Sequence, residues 1–147
     1  MKNMMKSQGV AIVEFTILLP IFLLLLFSIA ELGRAFYTYS ELDKISRDSA
    51  RYLSNELNKG STDSYILTSL DITSAKNLAI YGSINGGVDT AVPSLNSSHI
   101  QITLIDNYIK VEITYPYQPV LNAIPNFFGD DIDLNFNLTS SYSMRVL

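Results

Sequence analysis

Gly9-Val10-Ala11-Ile12-Val13-Glu14-Phe15 opens an apolar run that continues to Ala30. Between Val10 and Ala30 the run carries one charge, Glu14, and one helix breaker, Pro20. As a helix it is about 30 Å long, the thickness of a bilayer's hydrocarbon core. A carboxylate in such a segment costs roughly 2.5–3.5 kcal/mol on insertion scales, so Glu14 requires a reason for being there.

The residues before this run restrict what it is. Met1 to Gly9 is short and basic, with Lys2 and Lys6. A secretory signal peptide fits poorly. The run exceeds the usual apolar core, contains Glu14, and ends at Ala30-Glu31-Leu32-Gly33-Arg34 with no convincing cleavage site. A plain single-pass anchor fits the length, with the N-terminus inside and the body outside, but leaves Glu14 unexplained. A prepilin-type leader explains both features. A peptidase cuts after Gly9, where a side-chain-free residue allows close approach to the backbone. Val10 becomes the first residue, and the Glu14 carboxylate pairs with the free ammonium of a neighbouring subunit, which offsets the desolvation of both charges.

The combination Gly9-x-Ala11-x-Val13-Glu14-Phe15, then Leu19-Pro20, then Glu31-Leu32-Gly33-Arg34-Ala35-Phe36-Tyr37 resembles the TadE-like family. These are minor pseudopilins of the tight-adherence (Flp) type IV pilus system. The resemblance implies cleavage between Gly9 and Val10 by a prepilin peptidase, with Glu14 and Phe15 in the processing and assembly motif. It implies as partners other pilins and pseudopilins, TadF-like ones included, and the Tad inner-membrane assembly platform. It also implies a place in the bacterial inner membrane or the pilus, and a role in adherence, biofilm formation and surface colonisation. The absence of cysteines leans toward TadE rather than TadF. The alternative from the residues alone is a membrane-anchored extracytoplasmic binding or sensor module.

Beyond the run the periodicity is helical. Leu42, Ile45, Ser49, Leu53 and Leu57 recur every three or four residues among Glu41, Asp43, Lys44, Arg47, Asp48, Arg51 and Glu56. Asn58-Lys59-Gly60 reads as a helix end. A leader over 1–9, a spanning helix over 10–30, its continuation over 31–59 and a small domain over 60–147 follow from this. Ser61-Thr62-Asp63 reads as the cap of a second helix carrying Ile66, Leu67 and Leu70, and Thr73-Ser74 as the start of a third, which closes at Gly82. Residues 83–98, rich in Gly, Asn and Ser, read as an irregular, mobile loop.

From His99 onward the period becomes two. Ile100, Ile102 and Leu104 form one strand, and Ile109, Val111, Ile113 and Tyr115 a second, with Asp106-Asn107 as a tight hairpin turn. Pro116 and Pro119 end the second strand. Ile132, Leu134, Phe136 and Leu138, continued by Tyr142, Met144 and Val146, form the third. The expected fold is α+β: a long N-terminal transmembrane helix continuing into short helices and a three-stranded antiparallel sheet. A helical spine with such a sheet is the plan of pilin-like folds.

Composition narrows the chemistry. The chain has 147 residues, a net charge of −4, no cysteine and one histidine, His99. An acidic body argues against nucleic acid as a partner. Without cysteine there is neither a disulfide nor a thiolate metal site. His99 has no nucleophile or carboxylate beside it in sequence, Gly86-Gly87 is not a phosphate-binding loop, and Asp130, Asp131 and Asp133 lack the spacing of a calcium loop. The reading is therefore of a protein that is not an enzyme and takes no metal or cofactor. Phe127 and Phe128 are adjacent, so an extended chain cannot bury both on one side; one of them is a candidate partner surface.

Overall fold

The computed structural model describes residues 4–59, 66–120, 123–124, 132–133 and 135–146, with the side chains of 9–58, 66–120 and 135–146. Helix α1 runs Met4–Lys59, followed by α2 at Ser69–Tyr81. Five strands follow: β1 at Ile100–Ile105, β2 at Tyr108–Tyr117, β3 at Ala123–Ile124, β4 at Ile132–Asp133 and β5 at Phe136–Arg145. The chain divides into two compact units at the Ala35–Phe36 junction.

The first unit is the N-terminal part of α1. Leu, Ile, Phe and Ala dominate it, and its hydroxyls bond within the helix. Thr16 donates to the Ile12 carbonyl at 2.8 Å and Ser28 to the Leu24 carbonyl at 2.8 Å. Such internal bonds leave no hydroxyl seeking water along the apolar segment. Pro20 lies inside the helix and cannot donate to the carbonyl one turn earlier.

The second unit holds the core. Its sheet has the order β1-β2-β5, with both outer strands antiparallel to the central one. Asp106 and Asn107, at φ 47° and 65°, make the two-residue turn between β1 and β2. Two positive φ values in succession are those of a type I′ turn, whose twist suits a hairpin. Along β2, Ile109, Val111, Ile113, Tyr115 and Tyr117 are buried. The intervening Tyr108, Lys110, Thr114 and Pro116 are exposed, as a half-buried strand requires. From α1 come Leu42, Ile45, Leu53 and Leu57, also buried, on the stripe that the sequence predicts.

That stripe contains more serine than a core usually does. Ser46, Ser49, Ser54 and, on β5, Ser140 are buried, and each hydroxyl has a partner. Ser46 Oγ and Ser140 Oγ lie 3.2 Å apart, Ser49 donates to the Ala75 carbonyl at 3.3 Å, and Ser54 to the Arg145 carbonyl at 3.3 Å. Small side chains let backbones approach closely, and paired hydroxyls avoid the 1–3 kcal/mol or so that an unsatisfied buried group costs.

Pro116 does not end the second strand: β2 runs on to Tyr117, with Pro116 opposite Asn137. Three further expectations change. First, 69–81 is a single helix, where the sequence predicts two. Its cap is Thr68, which accepts from the Asp71 amide while the Asp71 carboxylate accepts from the Thr68 amide. This reciprocal box outcompetes Thr73-Ser74 as a start. Ile66 and Leu67 precede the helix, and 61–65 lie outside the described residues. Second, the loop over 83–98 is irregular but pinned. The Ala91 amide donates to the Ile80 carbonyl at 2.7 Å, Lys76 Nζ to the Ser97 carbonyl at 3.0 Å and Tyr115 Oη to the Pro93 carbonyl at 2.9 Å, while Val92 and Leu95 are buried. Third, the alternating run from Ile132 is divided. Ile132–Asp133 pairs with Ala123–Ile124, and only Phe136–Arg145 joins the main sheet.

Candidate functional site

The candidate site is the first unit of α1, defined by what does not cover it. Val10 is 67% exposed, Phe15 62% and Phe22 65%. Ile12, Val13, Ile17, Ile21, Leu26 and Ile29 are also exposed. These positions lie all round a helix of 3.6 residues per turn, so no face of it is shielded. An apolar helix exposed on every side is stable only where something other than water surrounds it, either lipid or the helices of other subunits.

Gly9 and Val10 lie within α1 at the head of this surface. A Cβ placed on Gly9 meets nothing within 4 Å. Neither packing nor a left-handed backbone therefore demands glycine there. Gly33, at the far end of the run, is equally open. Glu14 is exposed, one helical turn beyond Val10, and has no hydrogen-bond or ion-pair partner among the described residues. Phe15 adjoins it. A carboxylate in apolar surroundings is costly unless a cation pairs with it. At the other end of the run Arg34 pairs with Glu31 at 3.1 Å, and Phe36 and Tyr37 are exposed.

The remaining candidates are quickly placed. Phe127 and Phe128 lie outside the described residues. The rings of Tyr117 and Phe136 stack at 5.2 Å and 38°, next to a shallow depression lined also by Gln118 and Asn135. Asp130 and Asp131 lie outside the described residues too. Among the described residues no group of three or more metal-ligating side chains converges. His99 ends a 3-10 turn at Ser97–His99, next to Asn96 and edge-on to Tyr115 at 6.3 Å.

The sequence reading missed the polar half of the helix–sheet seam. Its signal is present: Ser46, Ala50 and Ser54 recur every four residues, beside the apolar stripe.

Residues 9–51 match the family model described as TadE-like protein. The match begins at Gly9 and takes in the whole apolar run, Glu14 and the first turns of the buried stripe. It supports a TadE-like classification, and the helix it covers is long and apolar enough to cross a membrane. No curated protein and no solved structure matches the chain.

Proposed function

From the TadE-like match over residues 9–51 we propose that this chain is a minor pseudopilin, an assembly component and not an enzyme, of a Tad (Flp) pilus system. The observation that carries the reading is the coincidence of that match with a helix exposed on every side and bearing one unpaired carboxylate, Glu14. A leader ending at Gly9 stays on the cytoplasmic face, and a prepilin peptidase cuts the Gly9–Val10 bond. The new N-terminus at Val10 is an ammonium. Glu14 accepts that charge from a neighbouring subunit when the helices leave lipid for a helical bundle. Two charges that are costly alone in an apolar medium are then desolvated as a pair, which fixes the axial offset between neighbours. The domain that follows lies outside the inner membrane and adapts or primes the fibre.

The test is the intact mass and N-terminal sequence of the protein isolated from its native membranes. A chain beginning at Val10 supports the proposal. A chain beginning at Met1 overturns it in favour of an anchored module. A start beyond Ala30 overturns it in favour of a secreted domain.

A further inference from the structure

Among the described residues no further strand pairs with either edge of the three-stranded sheet. A two-residue turn makes Ile105 and Tyr108 the first hydrogen-bonded pair of the hairpin, and bonded pairs then alternate along the ladder. The register Ile105↔Tyr108, Thr103↔Lys110, Gln101↔Glu112 therefore turns the backbone groups of Thr103 and Gln101 toward β2, and those of Ile100, Ile102 and Leu104 outward. The Ile100 amide is taken by the Ser97 carbonyl. The outward groups of Ile102 and Leu104 have no partner among the described residues. On the far side, β2 engages the even residues of β5 through Ile109↔Met144, Val111↔Tyr142 and Ile113↔Ser140. The groups of Asn137, Thr139, Ser141, Ser143 and Arg145 then point outward. Among the described residues only the Arg145 carbonyl of these is engaged, by Ser54 at 3.3 Å.

Soluble proteins guard such edges with charge, proline or a bulge. Here β1 reads Ile-Gln-Ile-Thr-Leu-Ile, and β5 carries no charge before Arg145 and no proline. The ion pair of this sheet, Lys110 with Glu112 at 2.6 Å, is on the central strand, where it guards neither edge.

We infer that the β1 edge of one copy pairs with the β5 edge of the next copy of this chain. The direction of the strands selects this occupant. Both outer strands are antiparallel to β2, so they run parallel to each other and face opposite ways. Copies held in the same orientation thus present unlike edges that meet as a parallel ladder, with neither copy inverted. Such a contact is heterologous and repeats, extending into a ring or a fibre. Each copy adds three strands, about 14 Å of sheet. The inference rests on the proposed function only for the shared orientation that a membrane anchor imposes.

The chain contains no cysteine, so introduced cysteines report alone. Thr103 on β1 and Thr139, Ser141 and Ser143 on β5 are exposed. The full chain in its native membranes is prepared with Thr103→Cys and, in turn, a cysteine at each β5 position, and treated with a short bis-maleimide. The expected result is a ladder of covalent multimers in at least one pair, and monomers when either cysteine is alone. Dimers from Thr103→Cys alone would mean like edges pair, and would overturn the inference. So would monomers throughout despite full labelling by a mono-maleimide, or links solely to another protein. Adding Ile102→Pro, which deletes an outward N–H at an edge, reduces the ladder about tenfold, equivalent to about 1.4 kcal/mol per contact. Should that variant unfold the hairpin, Ser141→Lys in the Thr103→Cys, Ser143→Cys background charges the other edge instead, with the same expected loss. The N-terminus is sequenced in the same membranes. A chain that starts at Val10 yet gives no ladder overturns the edge pairing and leaves the proposed function standing.

Discussion

At the scale of single residues, Gly9 and Glu14 do nothing for the fold of their own chain. Gly9 has open space around it, and Glu14 has no partner among the described residues. Substitution at either position is therefore expected to separate folding from function. Gly9→Val leaves the unfolding temperature of the protein unchanged but retains Met1 at the N-terminus, as mass spectrometry of membranes would show. Glu14→Ala is still cleaved but is absent from sheared fibres; normal incorporation would remove the carboxylate's role in register and leave the leader intact. Ser46 and Ser140 are the reverse case, both buried inside the fold. Ser46 also donates to the Asp43 carbonyl at 2.9 Å, so Ser140→Ala leaves it satisfied, whereas Ser46→Ala strands the buried Ser140 hydroxyl and costs about 1–2 kcal/mol; the double variant costs clearly less than the sum, because no orphan is left. Denaturant unfolding of the four proteins checks this; strict additivity would mean that the 3.2 Å contact carries no energy.

At the scale of elements, turn chemistry and caps govern what forms. Gly82 ends α2 at φ 70° with its amide on the Leu78 carbonyl at 2.9 Å. Gly82→Ala meets no atom but must hold a left-handed backbone, and is expected to cost about 1 kcal/mol in thermal unfolding. A variant as stable as the original would show that the helix end relaxes. The elements legible in the sequence are those whose side-chain period matches their burial. The stripe from Leu42 to Leu57 is an example, as are the two strands joined at Asp106-Asn107, where the turn residues themselves tolerate positive φ. What sequence periodicity leaves open is pairing. Ile132 and Phe136 belong to one alternating run, yet Ile132–Asp133 pairs with β3 and Phe136 onward with β2. Alternation records a face and says nothing of a neighbour. The start of α2 was misread because Ser, Thr and Asp recur through 61–74 and each is a plausible cap; the carboxylate of Asp71 decides in favour of Thr68. At the candidate site the order is reversed. Glu14 stands out in sequence because a carboxylate is out of place in an ordinary anchor, and Gly9, Val10 and Phe15 are singled out only by their spacing from it, whereas the serines of the seam look like surface residues until the sheet lies over them.

At the scale of the whole molecule, the two units answer to different surroundings. Residues from Phe36 onward contain the entire buried stripe, both sides of the serine seam and the sheet. A chain beginning at Phe36 is accordingly expected to be water-soluble, to lose only the helical circular dichroism of the deleted part of α1 and to melt in one cooperative step. One beginning at Gly60 loses Leu42, Ile45, Leu53 and Leu57 and should not fold. The seam also bears on how stability varies with temperature. Unfolding normally raises the heat capacity by about 12–15 cal/mol/K per residue, because apolar surface becomes wet, and exposed polar surface lowers it. With Ser46, Ser49, Ser54 and Ser140 in the core where methyls usually stand, calorimetry of the Phe36 chain should give a value toward the low end of that range. The stability curve is then slightly shallower than one for an all-apolar core of the same size, and cooling weakens the domain a little less.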